Sequence, residues 1–310
     1  RDVGFTNERV PGRAGEEGEV KVDDRSLLDI IRPLCGEETC SDDCAVFSLP
    51  CATLVTSTDM LHESSDFPPG MTDWQIGWMS VAVTISDIAA MGAEPKQIVI
   101  AIGLDDENRL ERIVKGAHAC CRKYGAVYAG GDLDAHNELT IVSTGTGVIL
   151  DGEPVRRRGA MPGDLICVTG RLGRAIPGLT GDRRFWNDLC EPQPRVSEGI
   201  AARLAGATAM MDISDGLAIS LYDIARESGV GMDISGDLIP LPEGVERELA
   251  LDAALYGGGD FELLFFMPEV NFEKLEDIES PVTSIGRAGS IPGIRMDGNI
   301  LPKKGYLHHW

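Results

Sequence analysis

No stretch of about 18 apolar residues occurs in the 310-residue chain, so nothing in it has the length of a membrane-spanning helix. Lysine is scarce, 7 against 21 arginines, and the formal net charge is −22. Phosphate backbones demand a basic surface, so nucleic acid is not an expected partner. Any anionic substrate must instead be held by metals and local arginines against an unfavourable overall field. Histidine is sparse too, and its 5 residues show no metal-ligand spacing. No Ser/His/Asp or Cys/His grouping is visible, so no side chain is assigned as a catalytic acid, base or nucleophile. A Gly-x4-Gly-Lys-Ser/Thr loop is missing, which excludes a P-loop kinase. Gly145-Thr146-Gly147 and Gly257-Gly258-Gly259 lack the strand–helix context of a dinucleotide site, and the protein-kinase motifs are absent. Residues 1–24 carry no apolar core of the secretory kind and read as a flexible arm, so a cytoplasmic location is expected. The spacing of Cys35, Cys40, Cys44 and Cys51 matches no zinc or iron–sulfur pattern, and reduced packing thiols are expected.

What is present fits two α+β domains, 25–151 and 152–310, separated at the turn chemistry of Asp151-Gly152-Glu153-Pro154. In the first, the pattern predicts a helix over 26–31 and paired strands over 44–49 and 53–58. A buried helix follows over 72–91, then a strand over 96–104, a helix over 107–124 and strands over 126–129 and 139–150. In the second, strands are expected over 165–169, 208–213, 230–234, 261–266 and 282–287. Helices are expected over 173–180, 195–206, 216–228 and 270–278, with a last hairpin turning at Asp297-Gly298.

Aspartates stand at the ends of apolar runs: Asp42 and Asp43, Asp59, Asp87, Asp132, Asp212 and Asp215. A carboxylate so placed is held near the core, where a lone charge is costly. Several of them meeting at one point would repel and raise one another's pKa unless a cation joined them. All-oxygen carboxylate clusters suit magnesium, and magnesium suits phosphate-bearing substrates. Ser57 and Thr58 add hydroxyl ligands beside Asp59, and Gly130-Gly131 would let backbone N–H groups approach a phosphate. Most of these have plainer accounts as turns, with a helix cap at 214–215, and Arg156-Arg157-Arg158 reads either as a solvated face or as offering one guanidinium to a nucleotide phosphate. Asp87 is the exception, because a carboxylate within an otherwise apolar helix needs a partner.

In order, Ser41-Asp42-Asp43-Cys44-Ala45, Ser57-Thr58-Asp59, Ser86-Asp87-Ile88-Ala89-Ala90-Met91-Gly92, Gly130-Gly131-Asp132, Met211-Asp212-Ile213-Ser214-Asp215-Gly216-Leu217 and Gly257-Gly258-Gly259-Asp260-Phe261-Glu262-Leu263 resemble the thiamine-monophosphate kinase family. The resemblance runs from about residue 25 to the Gly305-Tyr306-Leu307-His308 finish. It implies the two-domain α+β fold of aminoimidazole ribonucleotide synthetase-like proteins, with N-terminal sheets pairing into a barrel in a homodimer. It also implies transfer of the ATP γ-phosphoryl group to thiamine monophosphate, aided by several Mg²⁺ ions. The implied metal residues are Asp42, Asp43, Ser57, Thr58, Asp59, Asp87, Asp132, Asp212 and Asp215. Gly131, Asp132, Arg157 and Ser214 would hold ATP, and Asp66, Gly259 and Tyr306 would face thiamine monophosphate. The chain departs from the family at Asp66, where many relatives have His, and at Gly259, where they have Glu. Two alternatives stand beside this reading: another ATP-dependent member such as aminoimidazole ribonucleotide synthetase, or a divalent-cation-binding protein without turnover. For the latter, Asp132-Leu133-Asp134-Ala135-His136 breaks the EF-hand pattern at its third ligand.

Overall fold

A computed structural model describes residues 24–36, 41–275 and 278–307. Of the arm expected over 1–24, residues 1–23 lie outside the described residues, as do Cys40 and the terminal histidines, while Asp24 already opens a helix. The fold is α+β, built on two sheets. The first contains β1 (Ala45–Leu49), β2 (Ala52–His62), β3 (Glu94–Leu104), β4 (Val127–Ala135) and β5 (Thr140–Ile149), ordered β1-β2-β5-β3-β4. β3 and β4 pair in parallel and the other neighbours antiparallel. Buried and half-buried residues alternate along β5, as expected of a sheet covered on one face.

The cover is α2 (Asp73–Ala90), backed by α3 (Leu110–Lys123), with α1 (Asp24–Cys35) preceding β1. Thr72 and Gln75 close a capping box at the start of α2, the Gln75 N–H donating to Thr72 Oγ1 at 3.2 Å and the Thr72 N–H to Gln75 Oε1 at 3.1 Å. Two inward glycines on β5 let this helix lie close to the sheet. A Cβ at Gly145 would meet Thr84 Cγ2 at 2.8 Å, and one at Gly147 would meet Ile88 Cγ2 at 2.5 Å. The far end of α2 also joins the second core through Ala90. One helix therefore carries Asp87 between the two sheets.

The second sheet runs β12-β11-β8-β10-β6-β9-β7, from β6 (Leu165–Thr169), β7 (Ala209–Ile213), β8 (Gly231–Ile234), β9 (Glu262–Met267), β10 (Val282–Gly289), β11 (Ile294–Met296) and β12 (Asn299–Ile300). Its helices are α4 (Ala175–Leu179), α5 (Trp186–Cys190), α6 (Val196–Ala205), α7 (Leu217–Ser228) and α8 (Arg247–Tyr256). β6, β7 and β9 are buried at every residue because α7 and α8 pack on one face and α6 on the other.

Several expectations change. The strand expected over 126–129 continues through Gly130-Gly131-Asp132 to Ala135, with a bulge that skips Ala129. Gly131 is needed there, since a Cβ would lie 1.6 Å from the Ile100 carbonyl oxygen. The paired glycines thus form an edge strand rather than a turn. The helix expected over 270–278 is a 3₁₀ segment, Glu269–Leu275. α5 and α8 were not anticipated: α5 is barely one turn long, and α8 follows the turn-rich Pro240-Leu241-Pro242-Glu243-Gly244.

Candidate active site

The site forms where the end of β7, the middle of β2 and the last turns of α2 meet the loop before β1. Asp43, Asp87 and Asp212 each offer a carboxylate oxygen, and these lie within 4.8 Å of one another. Strand alternation turns Ser57 and Asp59 toward α2. The Ser57 hydroxyl donates to Asp87 Oδ2, and Thr84 Oγ1 donates to Asp59 Oδ2 at 2.7 Å. Ser86, fully buried, donates to Asp212 Oδ2 at 2.7 Å, stitching α2 to the second sheet.

The segment that follows β5 closes over this group. Arg157 donates to both oxygens of Asp43, Nη2 to Oδ1 at 2.5 Å and Nε to Oδ2 at 3.3 Å. Asp42 is engaged differently. Its Oδ2 accepts from Arg156 Nη1 at 2.6 Å and its Oδ1 from the Arg157 backbone N–H at 2.9 Å, so both oxygens clamp the 156–157 segment.

Burial dominates the electrostatics, and the carboxylates add to it. Burial, then Asp59, Asp212 and Asp43, push Asp87 well above the usual carboxyl range. Asp212 is pushed up to about 8 by burial and by Asp43, against the Ser86 hydrogen bond and Arg157. Asp43 is raised by burial despite Arg157, and Asp59 is raised by burial despite Thr84. The neighbouring Cys44 thiol is raised by burial and by the same four carboxylates, so it is no nucleophile. A buried, self-repelling set of hard oxygen donors suits a small divalent cation. Asp43, Asp87 and Asp212 could hold one directly, with Asp59 and Ser57 alongside.

On the C-terminal side, Ser214 and Asp215 form a half-buried turn after β7. Gly259 donates its N–H to the Ser214 carbonyl at 2.7 Å, and Tyr306 donates its N–H to the Asp215 carbonyl at 2.9 Å. Four residues singled out in the sequence, Ser214, Asp215, Gly259 and Tyr306, are thereby gathered beside Asp212.

Four others are not. Thr58 points to the opposite face of β2, where its hydroxyl meets Thr144 Oγ1 at 2.8 Å. Asp132, with Gly131, is exposed on the edge strand β4 and lies outside the tight carboxylate trio. Asp66 closes a local turn, its Oδ2 accepting from the His62 N–H at 2.7 Å and from Ser65 Oγ at 2.8 Å. Sequence reasoning missed Thr84, Ser86 and Arg156. The first two were detectable as hydroxyls beside Asp87 in an apolar helix.

Residues 41–149 match the family model described as AIR synthase related protein, N-terminal domain. A thiamine-monophosphate kinase of Methanospirillum hungatei is 74% identical over 289 residues, covering 93% of this chain and 100% of that protein. The Halobacterium salinarum thiamine-monophosphate kinase is 37% identical, covering 93% of this chain and 100% of its own. The solved structure of AaThiL complexed with AMPPCP and TMP superposes with a TM-score of 0.86 at 26% identity, covering 96% of this chain and 100% of that one. The chain belongs to the thiamine-monophosphate kinase family.

Proposed function

We propose that the chain transfers the γ-phosphoryl group of ATP to thiamine monophosphate, giving thiamine diphosphate and ADP by Mg²⁺-dependent in-line displacement. One observation carries this reading: the carboxylates of buried Asp43 and Asp212 and half-buried Asp87 within 4.8 Å, flanked by Arg157, in a chain 74% identical to a thiamine-monophosphate kinase. Bound Mg²⁺ would neutralise phosphate charge and align the two reacting phosphates.

The residues do the rest. A phosphate monoester oxygen is already nucleophilic near neutral pH, so the site needs no general base, in keeping with the absence of a histidine among the described residues gathered there. Asp43, Asp87 and Asp212 hold the metals, joined by Asp59, Ser57, Asp215 and, from the β4 edge, Asp132. Arg157, whose Nε and Nη2 hold Asp43 in this structure, is the guanidinium placed to take a phosphate oxygen, while Asp42 fixes its backbone. Ser214 and Gly131 complete the nucleotide side, and Gly259 and Tyr306 form the wall for the thiamine moiety. Asp66 stands as a turn former that supports the substrate side.

The same reading divides the chain at about 151 and places the enzyme in the cytoplasm, its described cysteines being free thiols. It also pairs two chains through the first sheet. The face of that sheet away from α2 carries Leu54, Val142 and Val148, with Met60 58% exposed, and no described element covers it. Incubation with ATP, Mg²⁺ and thiamine monophosphate should yield thiamine diphosphate and ADP in equal amounts. Loss of ATP without thiamine diphosphate would refute the assignment.

A further inference from the structure

Residues 257–263 run from α8 into β9 and face the Ser214–Asp215 turn. Gly258 sits so close that a Cβ would meet the Ser214 carbonyl oxygen at 2.8 Å and Tyr306 Cβ at 3.3 Å. Gly259 has φ +95° and Phe261 has φ +51°. Glycine adopts that region freely, but for phenylalanine it costs energy and persists only where neighbours enforce it.

Two carboxylates enforce it. Glu262 accepts from Arg195 through Nε at 2.6 Å and Nη2 at 2.5 Å, and from Thr169 Oγ1 at 2.6 Å, which fixes the start of β9. Asp260 reaches the other way. Its Oδ2 accepts from the Gly173 N–H at 2.6 Å, and its Oδ1 from those of Arg174 at 2.9 Å and Ala175 at 3.3 Å. Three convergent N–H groups require an acceptor with two oxygens and no hydrogen, which is a carboxylate. The gripped turn abuts the glycine segment, since a Cβ on Gly259 would lie 3.1 Å from Ala175 Cβ.

We propose that Asp260 is a positioning residue for the acceptor substrate: by gripping the Gly173–Ala175 turn it fixes the glycine wall against Ser214–Asp215 and so sets where thiamine monophosphate lies. The inference rests on the kinase reading. Asp260 itself does not touch the reacting phosphates. Its effect passes through the backbone of Gly257–Gly259, and the metal-holding carboxylates on β2, α2 and β7 are untouched by it.

The test is steady-state kinetics on the full chain with Mg²⁺, varying thiamine monophosphate and ATP separately, alongside a thermal melt. Wild-type protein without turnover would sink the kinase reading itself, a separate failure. In Asp260→Asn, the amide NH₂ would oppose one of the three N–H donors. The expected result is a KM for thiamine monophosphate raised about tenfold or more, with the KM for ATP within about twofold and kcat within about threefold. Asp260→Glu keeps two acceptor oxygens for the turn but shifts its anchor by one methylene, so it should give the same split and carries the test if Asp260→Asn does not fold. A folded variant whose two KM values move together, or whose KM for thiamine monophosphate does not move, would show a merely structural role and overturn the proposal.

Discussion

Two groups of buried and half-buried acids flank the site, and they are compensated very differently. Asp260 receives three backbone N–H groups, and Glu262 receives a two-point arginine and a hydroxyl. Across the site, Asp87 and Asp212 each receive a serine hydroxyl, while Asp43 shares the Arg157 guanidinium. The consequence appears in their acidities. Burial raises Asp260 to about 6 against its three donors, whereas Asp212 reaches about 8 and Asp87 is raised well above the ordinary value. A buried acid with enough donors is a rivet in the scaffold. A set with too few resists folding until a cation arrives, and it is here that a metal-dependent reaction can be housed.

Substitutions should separate the two groups, and the largest effect is expected at α2. Asp87→Asn removes a repelling charge and a proposed metal ligand together. Its turnover should fall about 10³-fold or more, about 4 kcal/mol in barrier, while the metal-free protein melts no lower than wild type. Glu262→Gln should do the reverse to stability. Leaving Arg195 without its carboxylate should cost about 3 kcal/mol by chemical denaturation. If both variants lost stability alike, the contrast between the two groups would be broken.

The pH response sharpens the same contrast. Asp212 has a folded pKa of about 8 against an ordinary 3.8, so its protonated form is the one the fold favours. That contribution is whole below about 4 and is lost as pH rises toward 8 in metal-free protein. Mg²⁺ needs the ionised carboxylates, so its stabilising effect grows over the same window. Thermal melts should show a larger Mg²⁺-induced rise at pH 8 than at pH 6, and an equal or smaller rise would contradict the account. The smallest effect is expected at Asp42→Asn, which keeps one acceptor for the 156–157 clamp. Turnover should drop only about threefold to tenfold, far less than for Asp87→Asn. A loss as deep as that of Asp87→Asn would mark Asp42 as a metal ligand instead.

Much of the carboxylate group was legible because an acid beside an apolar run is a physical anomaly that any reader of the chain can see. Asp43, Asp87 and Asp212 stand out for that reason, as does the helix that carries Asp87 between the sheets. Thr58 illustrates a different kind of limit. The two-residue period of a strand already separates it from Ser57 and Asp59, but a run of three oxygen-bearing residues draws the eye as one ligand set. Asp132 was harder, because a bulge carries β4 through two glycines that otherwise read as a turn. Asp42 and Asp43 are neighbours with opposite duties, decided by a segment more than a hundred residues later, and local pattern cannot reveal that. The same holds for Asp260, whose donors lie on a turn that only the folded second sheet brings near.

The central claim is that Asp43, Asp87 and Asp212 together form a cation site. Anomalous diffraction from crystals grown with Mn²⁺ and a non-hydrolysable ATP analogue tests it most directly. The account predicts a metal peak ligated by oxygens of all three carboxylates. Crystals that bind the nucleotide with no metal among them, Ser57, Ser86 and Arg157 keeping their present hydrogen bonds, would contradict it.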